Sequence, residues 1–494
     1  MILIKNNVVK KQNNFWNHCL FHPTDAVEDP WGKRILDQMA EDKAIKTVRI
    51  YTMFEDIAYL DGEGNLSFDF RVSDLRLDYM VEKGYNLLLA YGGIPDCIVS
   101  STEHQTSVSY NKTRYKGKMW NTAPPKDYAL WETLCYEYTK HNVERYGIDV
   151  VSQWRCQCFN EADVSLFFMS NIRSAEYQVR LKEYSKLYAA FERAIRRVSE
   201  EISIGGPALA ERLELLGGFL EIVKERGFKL DFISVHNYGT HPHLMNSKER
   251  IITVANNVEY QKAYEKVTAE HGFGDTPIIV DEWGMASGGF MNREKCPDLM
   301  IRETEIFSAY FVKLIRTFID AKFKMDSMML CLSGQHEMTE DFTGFRNFFT
   351  LNFIKKPIYN AYVLAAKLGE DLVDFDTDNS NIYVVPTKTE EGGYAVLLSY
   401  SSELFEEDLP TLEKEIVFTD DISDQMVTVY CIDKEHTNPY RLSQKLGIEK
   451  PSDEDLKALR EEGKMKPMCV QAGSEPLHLT LTANCTYLIC VDKK

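Results

Sequence analysis

Two short stretches of the sequence end in a glutamate that could carry out acid and base chemistry. The first is Gln153–Glu161, a predicted strand that stops at Asn160 and Glu161, and the second is Thr276–Gly284, an apolar run that contains Glu282. A carboxylic acid at the end of a buried strand can have its pKa raised by desolvation, as a general acid requires. Because the two strands are far apart in the sequence, the two acids can meet only if both strands belong to one sheet.

A pair of strand-end carboxyl groups suits glycoside hydrolysis. One carboxyl protonates the leaving oxygen, and the other attacks the anomeric carbon or activates water. For each glutamate taken alone, a solvated loop position is the alternative. Glu161 and Glu282 each follow a hydrophobic strand and lie within two positions of an aromatic residue. This shared context favours the catalytic interpretation.

The composition excludes several classes of function. The 494 residues carry a formal net charge of −18 and are 44% hydrophobic. The length predicts two domains, and the negative charge argues against nucleic acid and anionic membranes as partners. No run of about 18 apolar residues occurs, so we expect no membrane span. The first residues also lack the apolar core of a signal peptide.

The cysteines indicate a reducing environment. There are eleven, an odd number scattered along the chain, which is typical of buried thiols in the cytoplasm rather than of a disulfide framework. Cys156 and Cys158 share one face of a predicted strand, but no second Cys/His pair at zinc spacing accompanies them in the sequence. Core packing is therefore favoured over metal binding, and we expect a cytoplasmic protein.

The apolar segments alternate with helical patterns over most of the chain. Eight predicted strands precede residue 333: Asn14–Cys19, Thr47–Met53, Asn86–Tyr91, the strand before Glu161, Ile202–Pro207, Asp231–His236, the strand before Glu282, and Ser327–Leu332. Near-continuously apolar strands, most of them followed by helices, predict a (β/α)8 TIM barrel. Glu161 then ends strand four and Glu282 ends strand seven, at the face where active sites of such barrels lie.

The predicted domains follow from a change in character after the barrel. We expect an N-terminal strand in residues 1–13 that packs on the last domain, a catalytic barrel in 14–356, and an accessory β-sandwich in 357–494. Two polar insertions, residues 98–125 and 435–465, interrupt the predicted barrel and the predicted β-sandwich. The first is long enough to be a functional loop over the site.

Several stretches together resemble glycoside hydrolase family 39, the family of β-xylosidases and α-L-iduronidase. The similarity covers roughly Phe15 to Asp371. It includes Phe15-Trp16-Asn17, Val48 to Asp56, Trp131 to Gly147, Trp154 to Phe168, Asp231 to Tyr238, Glu282-Trp283 and Lys356 to Gly369. The resemblance implies a retaining mechanism, no metal and no organic cofactor.

The resemblance also implies roles for individual residues. Glu161 would be the acid/base and Glu282 the nucleophile. Asn160 would contact the 2-hydroxyl of the sugar, with His236 and Tyr238 beside the nucleophile.

Other candidates for sugar binding each have an alternative. Tyr51 stands where the family often has a His-Gly pair, so it lines the expected sugar pocket. Trp283 and Tyr238 could be sugar platforms or packing residues, and Glu337, after strand eight, could be a sugar contact or an ordinary loop residue. His236 could equally be a core histidine. Asp281 precedes Glu282 on a strand, so we expect it to point to the opposite face and to be structural.

The sequence therefore predicts a retaining glycosidase that acts on short β-linked glycosides, in exo mode and with β-xylosidase-like specificity. Another glycone, as in a β-glucosidase or β-galactosidase, is the first alternative. A barrel that binds sugar without cleaving it is the second, although the two carboxylates argue against it. The expected partner is a small oligosaccharide or glycoside, and the sequence leaves homo-oligomer formation open.

Overall fold

A computed structural model describes residues 1–21, 30–107, 119–173, 176–240, 251–287, 292–294, 296–332, 338, 340–405 and 407–492. Eight parallel strands form a closed barrel. In chain order these barrel strands one to eight are His18–Leu20, Thr47–Tyr51, Asn86–Tyr91, Arg155–Cys158, Ser203–Leu209, Phe232–Tyr238, Ile278–Gly284 and Met325–Cys331. The predicted barrel is confirmed.

The barrel strands are buried on both faces, which explains why their sequences read as continuous apolar runs. Every residue of strands six and seven is buried. A layer of Leu88, Phe232, Ile279 and Met329 packs together as a separate cluster. These four residues come from strands three, six, seven and eight, so the barrel interior is filled by side chains rather than open.

Helices surround the barrel and follow its strands. They are Pro30–Glu41, Arg71–Glu82, Tyr128–Tyr146 with the short Ile148–Val151, Tyr177–Val198, Leu213–Arg226, Val254–Glu270, Glu305–Ala321 and Pro357–Ala365. Tyr128–Tyr146 begins at Asp127, whose side chain accepts from the amide of Ala129, and ends at Gly147 with φ 84°. An N-cap carboxylate and a positive-φ glycine are ordinary helix boundary signals.

A nine-stranded curled sheet forms the second part of the protein. Its strands are Ile2–Lys11, Asp371–Thr377, Ile382–Lys388, Tyr394–Tyr400, Leu412–Phe418, Met426–Ile432, Pro467–Ala472, Leu477–Leu481 and Cys485–Asp492. The N-terminal strand pairs antiparallel with Asp371–Thr377 and parallel with Leu412–Phe418. The boundary after residue 356 stays a prediction, because the helix Pro357–Ala365 contributes many side chains to the large core cluster shared with the barrel.

The two polar insertions bring extra elements to the structure. Within 98–125, Gln105–Ser107 pairs with Met119–Asn121, and residues between these strands lie outside the described part. The second insertion contains the helices Pro439–Lys445 and Asp453–Glu462. Buried Leu459 of the last helix packs with Phe342 and Ile354 from the segment after barrel strand eight. The second insertion therefore packs against a segment that reaches the carboxyl-terminal end of the barrel.

No helix in the described ranges is long and apolar enough to cross a membrane.

Candidate active site

The carboxylate of Glu282 accepts hydrogen bonds on both oxygens at the end of barrel strand seven. Arg49 Nη1 lies 2.8 Å and Tyr51 Oη 3.1 Å from Oε1. Tyr238 Oη lies 2.8 Å and Cys331 Sγ 3.3 Å from Oε2. These donors come from strands two, six and eight, so closure of the barrel is what brings them around one carboxylate.

The surroundings of Glu282 favour its ionised form. Burial by itself would raise the pKa of this carboxyl group. The positive charges of His236, Arg49 and Arg346 and the hydrogen bond from Tyr238 outweigh burial and hold the pKa well below its ordinary value. Glu282 is therefore a carboxylate at neutral pH.

Glu161 lies just beyond barrel strand four in a left-handed backbone conformation, with φ 49°. Its Oε1 is 2.8 Å from His236 Nδ1. Burial is the largest influence and raises the pKa of Glu161, and the negative charge of Glu282 adds to this effect. The hydrogen bond and the charge of His236 act in the opposite direction without cancelling the rise. Glu161 is thus the acid of the pair that retains its proton to higher pH.

The two acids lie close to each other with His236 between them. One oxygen of Glu161, one oxygen of Glu282 and a ring nitrogen of His236 are all within 4.8 Å of one another. His236 Nε2 is 3.6 Å from Glu282 Oε1. Burial would lower the pKa of His236, but the charges of Glu282 and Asp281 and a hydrogen bond to Glu161 raise it well above its ordinary value. The two carboxyl groups on either side of the ring therefore favour its cationic form.

Arg49 connects the site across the barrel and is fully buried. Besides Glu282, its guanidinium reaches Asn160 Oδ1 at 2.7 Å, Asp281 Oδ2 at 2.9 Å and Gln157 Oε1 at 3.0 Å. A guanidinium offers five N–H donors in a fixed plane, so one side chain can hold several acceptors in place. Arg49 fixes the relative positions of residues from strands four and seven.

The sequence model of "Glycosyl hydrolases family 39" matches residues 1–474. The chain belongs to glycosyl hydrolase family 39. Like the rest of this retaining family, it is a retaining glycoside hydrolase, and its substrate is a glycoside.

Relatives of this family-39 enzyme match it over different shares of their length. A β-xylosidase of Caldicellulosiruptor saccharolyticus is 25% identical over 88% of this chain and 86% of the relative. The α-L-iduronidase of Homo sapiens is 24% identical over 49% of this chain and 33% of its own length. The crystal structure of a β-xylosidase from Caulobacter crescentus CB15 superposes with a TM-score of 0.84 and 17% identity, covering 99% of both chains.

Four of the residues expected to bind substrate lie around the acids of the family-39 enzyme. Glu161, Glu282 or Arg49 lies within hydrogen-bond distance of each of Asn160, His236, Tyr238 and Tyr51. Glu337 lies outside the described residues.

Trp283 does not fit the expected sugar contact. Its ring is fully buried and stacks on Phe311 at a centroid distance of 5.7 Å. Its Nε1 donates to Tyr362 Oη at 3.1 Å. Phe311 and Tyr362 belong to the surrounding helices, so the Trp283 side chain points away from the barrel interior. The reason is the alternation of side chains along a strand, which sends the neighbour of inward-facing Glu282 outward.

The expectation that Asp281 points away from Glu282 is wrong. Both carboxylates contact Arg49. The pairing of strand seven with strand six is irregular at this point, where Val235 pairs with Val280 but His236 pairs with Glu282. Such a β-bulge interrupts the usual alternation, so two successive side chains can face the barrel interior.

Sequence reasoning missed Arg49, Asp281 and Arg346 as parts of the site. Arg49 had a detectable signal, since a charged residue within the apolar run Val48–Ile50 must find buried partners. Trp120 was also missed. Its ring packs edge to face against Tyr51 at 5.6 Å and brings the first polar insertion to the site.

Two groups of described side chains have metal-ligating atoms within 4.8 Å of one another. One group is Glu161, His236 and Glu282, where His236 Nδ1 already lies at hydrogen-bond distance from Glu161 Oε1, at 2.8 Å. The other is Cys431, Asp433 and His436 in the curled sheet, where Asp433 Oδ1 already accepts from two backbone amides and from His436.

Proposed function

We propose that this family-39 enzyme is an exo-acting, β-xylosidase-like glycosidase in which Glu161 is the acid/base and Glu282 is the nucleophile. The observation that carries the proposal is the close approach of two acids, with oxygens within 4.8 Å, whose surroundings shift their pKa values in opposite directions. Retaining enzymes have carboxyl groups about 5–5.5 Å apart, whereas inverting enzymes have about 6.5–9.5 Å to leave room for water. The short separation supports direct attack by Glu282.

In the first step, Glu161 gives its proton to the glycosidic oxygen as Glu282 attacks the anomeric carbon. The bond from that carbon to the leaving oxygen breaks, and a glycosyl ester of Glu282 forms. Arg49, Tyr51, Tyr238 and Cys331 hold the carboxylate in place before the substrate arrives. Donors that are already oriented need no reorganisation during the reaction.

In the second step, Glu161 removes a proton from water, and that water displaces Glu282 from the sugar. The change of role follows from the electrostatics of the pair. Burial and the charge of Glu282 raise the pKa of Glu161. Because ester formation removes the charge of Glu282, the pKa of Glu161 falls when the residue must act as a base.

Asn160 is a proposed sugar contact. Its Oδ1 accepts from Arg49, so the amide N–H groups are left to donate to the sugar 2-hydroxyl. Tyr51 and Trp120 together form an aromatic wall beside Glu282. These two rings close one side of the site to further sugar units, which supports an exo mode. The names of the β-xylosidase relatives support xylose as the glycone.

We place the enzyme in the cytoplasm. All eleven cysteines are free, which supports a reducing compartment. Short glycosides that enter the cell, rather than polymers, are then the substrates.

A panel of 4-nitrophenyl β-glycosides tests the glycone. We expect the highest kcat/KM on the β-xyloside. A higher value on the β-glucoside or the β-galactoside would replace xylose by that sugar within the same mechanism. Absence of turnover on every activated glycoside would favour a barrel that binds sugar without cleaving it.

Covalent labelling tests the nucleophile. A 2-fluoro glycoside of the preferred sugar should attach to the peptide that contains Glu282. Glu282→Gln keeps the shape but removes the attacking charge, so kcat should fall on the order of 10⁴–10⁶-fold, as when other nucleophiles are removed. A label on another acid, such as Glu55, would overturn the assignment.

A further inference from the structure

Arg346 donates a hydrogen bond to a tyrosine that in turn contacts the proposed nucleophile. It lies in the segment after barrel strand eight, and its Nη1 donates to Tyr238 Oη at 2.7 Å. Its guanidinium carbon lies 5.7 Å from the centre of the Tyr238 ring. Tyr238 in turn donates to Glu282 Oε2 at 2.8 Å. The three side chains form a continuous chain of hydrogen bonds.

The backbone around Arg346 is held by its neighbours. Phe345 and Phe348 are buried, and Lys356 Nζ donates to the carbonyl of Phe345 at 3.0 Å. Lys356 is itself buried and paired with Glu303 at 2.8 Å. The partly buried Arg346 is therefore presented to Tyr238 from a packed segment.

The chemistry of the three groups fixes the direction of each hydrogen bond. A guanidinium can only donate, so Tyr238 Oη must accept from Arg346. The tyrosine hydroxyl has a single proton, and an ionised carboxylate can only accept. That proton must therefore be directed at Glu282. The thiol of Cys331, on the same oxygen at 3.3 Å, is a weaker donor.

We propose that Arg346 is a positioning residue that commits the hydroxyl proton of Tyr238 to Glu282. This inference rests on the proposed role of Glu282 as the nucleophile. With a group in place of Arg346 that can accept a hydrogen bond, the tyrosine proton could turn away from the carboxylate. Glu282 would then lose a donor and part of its fixed orientation for attack.

A double-mutant cycle separates this role from a direct effect of Arg346. The rate of covalent labelling by a 2-fluoro glycoside is measured for the wild type, Arg346→Gln, Tyr238→Phe and the double variant. Glutamine carries a carbonyl oxygen that can accept the tyrosine proton, so Arg346→Gln should slow labelling about tenfold. In the Tyr238→Phe background, the same change should alter the labelling rate less than about twofold, because the hydrogen bond from the tyrosine to Glu282 is already absent.

Two further variants complete the test. Arg346→Lys keeps a cation that only donates, so it should recover most of the labelling rate. Arg293→Gln makes the same change at a surface arginine, paired with Glu340 at 2.6 Å, and should leave the rate unchanged. Affinity for a competitive inhibitor should be the same in the wild type and in Arg346→Gln.

The outcomes are distinguishable. The labelling rate could fall equally with Tyr238 present and in the Tyr238→Phe background. Arg346 would then act directly on the substrate or on Glu282, and a role through Tyr238 would be rejected. The absence of any loss in Arg346→Gln would also reject it. Failure of the wild type to label Glu282 would instead overturn the proposed function itself.

Discussion

Arg49 and Glu282 form an ion pair inside the barrel, with Nη1 2.8 Å from Oε1 and side-chain exposures of 0% and 8%. The same guanidinium also binds Asp281 and Asn160. Arg49 on strand two thus contacts two neighbouring carboxylates on strand seven. Removing its charge would leave these buried carboxylates with one directly paired cation fewer, which is strongly destabilising.

Arg49→Lys should inactivate the enzyme and lower its stability. A lysine ammonium keeps the charge but cannot bridge four acceptors in one plane, so kcat/KM should fall by at least about 10²-fold. Thermal unfolding should shift down by several degrees. The matched control is Arg155→Lys, since Arg155 pairs with Asp326 at 29% and 30% exposure and should change stability by less than about 1 kcal/mol. Equal effects of the two variants would contradict the role given to Arg49.

The loss of turnover in Glu161→Ala should depend on the leaving group of the substrate. Substrates with poor leaving groups need the proton of Glu161 and should lose most of their turnover, whereas activated aryl glycosides should still form the intermediate. Azide should then restore turnover and give a β-glycosyl azide. The wild type should lose activity as pH rises through the raised pKa of Glu161, and this basic limb should be absent from the variant on activated substrates. Equal losses on both substrate types without azide rescue would exclude Glu161 as the acid/base.

His236→Asn should shift the whole pH profile of kcat/KM to higher pH. The acid limb reports ionisation of Glu282, and the basic limb reports loss of the proton from Glu161. The cationic ring lowers the pKa of both groups, so its removal raises both. Each limb should move upward by on the order of one pH unit. His436→Asn, at a half-exposed histidine of the curled sheet, should leave the profile unchanged. A downward shift of either limb would contradict the proposed charge of His236.

Trp283→Phe tests packing against sugar binding. The variant loses the hydrogen bond to Tyr362 and part of the stack on Phe311, so the free energy of unfolding should fall by about 1–3 kcal/mol. The KM for aryl glycosides should stay within about twofold of the wild type, since the ring does not face the barrel interior. A large increase in KM at unchanged stability would restore Trp283 as a sugar contact.

The sequence by itself determined the barrel and its two principal acids. The alternation of apolar strands with helices is a local pattern, and it places Glu161 and Glu282 at strand ends. In a parallel barrel, all such ends lie on one face, so the acids were expected to meet.

Only the tertiary structure decided how neighbouring residues are oriented. The period of two along a strand predicted opposite directions for Asp281 and Glu282, but a bulge against strand six turns both toward Arg49. Trp283 then faces the surrounding helices. A bulge depends on the register of the adjacent strand, which the residues of one strand do not specify. The contacts of Arg49 and Arg346 likewise join positions distant in sequence, so they exist only once the barrel has closed.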